Sequence, residues 1–188
     1  MNATIELGLE NSTLPEVSTR VVSTEERRVA VMIDWENMEV PRRKQMQGVS
    51  QKILITTIRQ YADQQGDVRV ATAVAGFSER DGKTMWMLNV NGIVPKITMT
   101  KAVNGKVQSN AADIHLVVEA MHTLMNDPTI SDFVIFTGDG GFLPLLRLLK
   151  AEGKNVTIVG PTNESTSSHL IREADKYTTI QNLVEVSA

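Results

Sequence analysis

Short apolar, β-rich runs alternate with helical patterns along most of this chain, and no other feature constrains its fold as tightly. Residues 28–34 (Arg-Val-Ala-Val-Met-Ile-Asp) read as a first strand. Residues 49–64, with Ile53, Ile55, Ile58 and Tyr61, read as a helix. A second strand is predicted over 68–75, and a helix over 78–91 has Glu79 and Asp81 well placed in its first turn. A third strand is expected over 95–103, an apolar helix over 111–125, a fourth strand over 133–137, and a helix over 142–152 closed by Gly153. A fifth strand follows over 156–160, then a helix near 167–176 and a short extended piece around 178–180. This spacing predicts a doubly wound α/β fold, Rossmann-like, with a mainly parallel sheet of about five or six strands and helices on both faces. Strands that are apolar almost without interruption fit burial on both sides.

The chain has 188 residues, 41% of them hydrophobic, which suits one domain. Residues 1–25 are polar and without a sustained period, so they read as an N-terminal arm, with the globular domain expected over 26–188. There is no Cys, which excludes disulfides, a thiolate zinc site and a cysteine nucleophile, and suits a reducing compartment. Three scattered His leave a His-based zinc site without support. No apolar stretch approaches the roughly 20 residues that span a bilayer, so no membrane association is expected and the reading is cytoplasmic. The net charge of -3 supplies no general cationic field, and 4% aromatic content argues against a broad stacking surface for single strands. A nucleic-acid role therefore needs a local basic patch. The arm and the polar tail after Tyr177 are the candidate elements for homo-oligomer assembly.

In a doubly wound sheet, ligands bind beyond the carboxyl ends of the strands, where the strand order reverses. Asp34 closes the first strand and Asp139 follows the fourth in Phe-Thr-Gly-Asp-Gly-Gly, so chain direction puts both on that edge. Asp113 lies in the first turn of a helix that starts there, on a face shared with Val117, Ala120 and Leu124. Each acid also has an ordinary reading. Asp34 could cap the turn after its strand, Asp139 could support a glycine-rich turn, and Asp113 could complete a cap with Asn110. Their shared edge favours a site, because clustered carboxylates repel and are usually held together by a cation. Oxygen ligands alone favour Mg²⁺ or Mn²⁺. Asp34, Asp113 and Asp139 are thus the candidate metal-ligating and catalytic residues, and phosphodiester hydrolysis is the chemistry that suits them. Glu36, Asn37 and Thr137 are candidate supporting groups, Glu36 for a metal-bound water and Asn37 for the strand-end loop. Arg42, Arg43, Lys44 and Lys101, with Lys96 and Lys106, are the candidate contacts to a polymer backbone, or else a solvated face.

Four segments then carry a family likeness. They are residues 31–38 (Val-Met-Ile-Asp-Trp-Glu-Asn-Met), 110–121 (Asn-Ala-Ala-Asp-Ile-His-Leu-Val-Val-Glu-Ala-Met), 135–146 (Ile-Phe-Thr-Gly-Asp-Gly-Gly-Phe-Leu-Pro-Leu-Leu) and 167–177 (Ser-Ser-His-Leu-Ile-Arg-Glu-Ala-Asp-Lys-Tyr). In this order and spacing the chain resembles the NYN domains of the PIN-like nuclease superfamily, in particular the branch named after the cyanobacterial LabA protein. The resemblance implies a PIN-like α/β fold, Mg²⁺ or Mn²⁺, RNA as substrate, and functional roles for Asp34, Asn37, Asp113 and Asp139. Two departures stand out. The family usually has a second acid two residues after the one matched by Asp139, where this chain has Gly141, and the usual Lys before Asp113 is replaced by the Ser109-Asn110 region. Glu119 is no substitute ligand, being about 120° around the helix and roughly 9 Å along it from Asp113. The missing acid implies a weaker site, a single-metal site or an inactive one.

Three functions compete. The first is a metal-dependent endoribonuclease. The second is a catalytically degenerate NYN module that binds RNA or a protein partner. The third is a phosphatase of the haloacid dehalogenase type, disfavoured by Glu36 where that mechanism wants Asp and by Phe142 and Leu143 where it wants a further acid. Among the remaining residues, Trp35 reads as core or rim rather than a stacking platform, and His115 with Glu119 as a surface pair. Asp175 reads as support for the turn after the last helix, and Met85, Met87 and Met121 as core filler.

Overall fold

The structure, a computed structural model, describes residues 27–98, 102–103, 106–107 and 110–187. The expected arm over 1–25 lies outside the described residues. The first strand, β1 (Arg28–Asp34), is buried from Val29 onward. Its odd positions Val29, Val31 and Ile33 enter one apolar core, and its even positions Ala30 and Met32 enter another. That split is the signature of a central strand covered on both faces.

The six-stranded sheet comprises β1, β2 (Asp67–Ala75), β3 (Val94–Ile97), β6 (Asp132–Phe136), β7 (Asn155–Gly160) and β8 (Lys176–Thr179). Its order is β3-β2-β1-β6-β7-β8, and every neighbouring pair is parallel. On the face holding Val29, Val31 and Ile33 pack α1 (Trp35–Gln45), α2 (Gln51–Gln65), α3 (Gly82–Val90) and α7 (Ile180–Ser187). On the other face lie α4 (Asn110–Asn126), α5 (Leu143–Ala151) and α6 (Ser168–Glu173). The expected doubly wound α/β fold is therefore the observed one, with six strands in the main sheet.

Three local expectations need correction. The third strand ends at Ile97 instead of running to 103. Residues Ala102–Val103 (β4) and Lys106–Val107 (β5) instead pair antiparallel in a separate two-stranded sheet. Between them the sequence has Asn104-Gly105, a pair favoured in tight hairpins.

The stretch read as a strand-end loop after Asp34 is helix α1. It buries only Trp35 and Met38 and carries Pro41 in its interior, so it has no apolar stripe to betray it. Its signals are polar: Asp34 as N-cap, Glu36 in the first turn, and Arg42, Arg43 and Lys44 in the last. The tail after Tyr177 is likewise structured. It forms β8 and then α7, whose buried Ile180 and partly buried Leu183 and Val184 pack at helical spacing into the core shared with α2. No helix among the described residues is long and apolar enough to cross a membrane.

Candidate functional site

From the centre of the sheet the chain first winds outward through β1, β2 and β3, then returns to place β6 on the other side of β1. The strand order therefore reverses between β1 and β6, and the crevice beyond their carboxyl ends is where a ligand belongs. Asp34 is the last residue of β1, while Thr137, Gly138 and Asp139 follow β6 directly.

These residues are tied to one another by hydrogen bonds. One carboxylate oxygen of Asp34 accepts from the Asn37 backbone N–H at 3.2 Å, which makes Asp34 the cap of α1. The other accepts from the Thr137 hydroxyl at 3.3 Å. That hydroxyl, fully buried, in turn accepts from the Asp139 backbone N–H at 3.1 Å. The Asn37 side-chain oxygen accepts from the Gly138 N–H at 2.7 Å, and Asp139 Oδ1 accepts from the Gly141 N–H at 2.8 Å, capping a short 3₁₀ turn. Asp113 comes from the first turn of α4, whose buried line is Ala112, Leu116, Ala120 and Thr123. The half-buried Asp113 sits on the flank of that line. All three acids, with Glu36, Asn37 and Ser165, line one cleft of about 350 Å³.

The cleft is electrically one-sided. Burial pushes the Asp34 carboxyl up to about 7, and the charges of Asp113 and Glu36 add to the rise, against the hydrogen bonds from Asn37 and Thr137 that oppose it. Asp113 is also raised, by burial first and then by the charges of Asp139 and Glu36. Among the described residues none of these four acids is in an ion pair. No three carboxylates or imidazoles among the described residues already stand close enough to form a ready-made metal cage. The donor set still fits a hard ion of the Mg²⁺ kind, which keeps several waters and needs only one or two direct carboxylates.

The other candidates fall in different places. Glu36 is exposed on the cleft wall, where its carboxylate accepts from the Gly76 N–H at 3.1 Å. Arg42 turns inward. It donates two 2.7 Å hydrogen bonds to Glu39 and one, also 2.7 Å, to the Val49 carbonyl. Arg43 and Lys44 are exposed on the last turn of α1. Lys101 and the side chain of Lys106 lie outside the described residues, as does the side chain of Asn110, the alternative capping partner of Asp113. Lys96 and His115 both meet Glu119, at 3.3 and 3.2 Å. Asp175 accepts from the Val156 N–H and pairs with Lys150, a structural role.

Two contributors had no clear mark in the sequence. Ser165 lines the far side of the cleft, and its hydroxyl donates to Gln45 at the end of α1. Gly138 is crowded, since a Cβ there would sit 2.1 Å from the Ser165 carbonyl oxygen. Only glycine lets the two loops meet so closely.

The comparisons with known proteins accord with this architecture. No curated protein matches the chain. Among solved structures, a Vibrio parahaemolyticus protein of unknown function, VPA0982, superposes with a TM-score of 0.70 at 20% identity, covering 86% of this chain and 98% of that one. At that identity the likeness speaks for the fold alone. The sequence profile of the NYN domain matches residues 28–181, from the first residue of β1 into α7, and the chain belongs to the NYN domain family.

Proposed function

We propose that the protein is a metal-dependent ribonuclease, with Asp34, Asp113 and Asp139 as its catalytic acids and Mg²⁺ or Mn²⁺ as its ion. The observation that carries this reading is the cluster at the β1/β6 switch point, where a buried carboxyl and two further acids share a cleft with no countercharge among the described residues. When bound, a divalent ion there would stabilise charge on a phosphate and supply hydroxide near neutral pH. The chain's own part is to hold the carboxylates in place. Thr137 links Asp34 to the backbone of Asp139, and Asn37 fixes Gly138 between them. Arg43 and Lys44 stand exposed on the helix that Asp34 caps, on offer to the phosphates of RNA. With no Cys in the chain, a reducing cytoplasm suits it.

The test is hydrolysis of single-stranded and structured RNA with Mg²⁺ and with Mn²⁺. Cleavage should disappear with EDTA and fall by at least about a hundredfold in Asp34→Asn and Asp139→Asn. Intact RNA under every one of these conditions defeats the proposal. One observation favours a degenerate RNA- or protein-binding module instead. Gly141 is exposed where the family usually has an acid, and its Cβ would sit 3.3 Å from Asp139 Oδ1. On that reading the parent binds RNA without cutting it.

A further inference from the structure

The loop after β7 carries a run of hydroxyl residues, Thr162, Ser165, Thr166 and Ser167, and among these Ser165 lines the acid cleft. It is held from three directions. Its backbone N–H donates to the Thr162 hydroxyl at 3.1 Å, and its own hydroxyl donates at 2.7 Å to Oε1 of Gln45, the last residue of α1. Its carbonyl is wedged against Gly138, where a Cβ would come within 2.1 Å of the carbonyl oxygen. Gly138 directly precedes Asp139, so Ser165 stands beside the acids. Thr162, itself 2% exposed, donates to the same Gln45 oxygen at 3.2 Å, and the Thr166 hydroxyl donates to the Thr162 carbonyl at 2.6 Å. Folding has already ordered this loop, so a ligand meets Ser165 in a fixed place.

The polarity of this network decides what Ser165 can bind. A serine hydroxyl has one proton and two lone pairs. The proton is committed to Gln45, whose Oε1 can only accept. Lone pairs are what Ser165 has left for a ligand, so it calls for a hydrogen-bond donor. A phosphodiester offers none, because all of its oxygens are acceptors, and the ribose ring oxygen is an acceptor too. Within the sugar–phosphate chain of RNA the one donor is the 2′-hydroxyl, and DNA lacks it. The Asn37 oxygen in the same cleft is already taken by the Gly138 N–H and does not duplicate this function.

We propose that Ser165 is the residue by which the cleft tells RNA from DNA: its hydroxyl, oriented by Gln45, accepts the 2′-hydroxyl of the nucleotide whose phosphate lies at the acids. Ser165 is then a specificity residue and Gln45 a positioning residue. The assignment rests on the nuclease reading of the cleft and narrows its substrate from a phosphodiester to a ribonucleotide.

The test compares labelled single strands of one sequence, as RNA, DNA and 2′-fluoro RNA, by anisotropy in Mg²⁺ while the strands remain intact. The 2′-fluoro strand keeps the ribonucleotide shape but has no 2′ proton to donate. RNA should bind the parent at least about fivefold more tightly than either of the others, the worth of one hydrogen bond. Ser165→Ala should bring RNA down to the level of the 2′-fluoro strand and leave that strand's own affinity unchanged. Gln45→Glu, whose carboxylate can only accept, should keep the preference although its charge weakens all three strands alike, and loss of the preference there overturns the role given to Gln45. A parent that binds RNA and 2′-fluoro RNA equally overturns the assignment without any variant, and leaves the nuclease reading to its own cleavage assay. A preference that survives Ser165→Ala overturns it as well, and so does a loss shared equally by all three strands, which would set Ser165 against a bound water or a base. RNA that is neither bound nor cut overturns the nuclease reading with it.

Discussion

Asp34→Asn should make the metal-free protein more stable at neutral pH, although it removes a residue at the heart of the site. The native carboxyl titrates at about 7, against about 3.9 in an unfolded chain. The folded state thus holds the proton more tightly than the unfolded one. Stability is undiminished below about pH 4, falls as pH rises towards 7, and is flat above. Some three pKa units at about 1.4 kcal/mol each give a penalty of about 4 kcal/mol above neutrality. Asparagine has nearly the same shape and keeps an oxygen for the Asn37 N–H, but it turns an NH₂ towards a Thr137 hydroxyl that now donates to Asp34. That mismatch costs about 1 kcal/mol at every pH, leaving a net gain of about 3 kcal/mol at pH 8 that shrinks as pH falls and becomes a loss of up to about 1 kcal/mol below pH 4. Urea denaturation of both proteins from pH 4 to 8 in EDTA measures it. Parallel profiles, or a variant no more stable than the parent at pH 8, would refute the account of Asp34 as a buried, unneutralised acid. Adding Mg²⁺ or Mn²⁺ should close most of that gap. An ion at a hundred times its Kd stabilises the parent by about 2.7 kcal/mol and should do much less for the variant.

Gly138→Ala should lower stability by about 1–3 kcal/mol or more, because the new Cβ meets backbone rather than a pliable side chain. A urea midpoint equal to the parent's would show that the loops separate more easily than their geometry implies. Asn37→Ala should cost about 1–3 kcal/mol by leaving the Gly138 N–H without its acceptor, and should depress RNA cleavage in parallel. Gly141→Asp should tighten Mn²⁺ binding by about tenfold in calorimetry, with increased cleavage wherever the parent is weak, by bringing a further carboxylate beside Asp139. Unchanged affinity would mean that the acid at this position points away from the ion.

What was legible in the sequence was whatever repeats. The apolar runs of β1, β6 and β7 and the stripes of α2 and α4 show themselves because burial demands a period, and the parallel order follows from their alternation. Helix α1 has no such stripe, and it escaped a reading based on period although its caps and charges were in view. The shared edge of Asp34 and Asp139 followed from chain direction. The crowding of Gly138 against Ser165 did not, because it depends on how two loops distant in sequence approach each other. The inward turn of Arg42 had a local cause, since Glu39 three residues earlier is an ordinary helical pairing distance. Reading Arg42, Arg43 and Lys44 as one basic patch overlooked it.

The ordinary and functional readings of the acids turn out not to be rivals. A carboxylate has two oxygens and about four acceptor positions. Asp34 gives one oxygen to the Asn37 N–H, as a cap should, and one to the Thr137 hydroxyl. This leaves acceptor positions unused on a group that lines the cleft. Asp139 spends Oδ1 on the Gly141 N–H and is exposed at the cleft otherwise. The caps orient the acids, and the remaining lone pairs are what a cation would use. This also bears on the missing acid. The bond that anchors Asp139 comes from the backbone of residue 141, which any residue but proline can supply, so an aspartate there would add a ligand without loosening the one beside it.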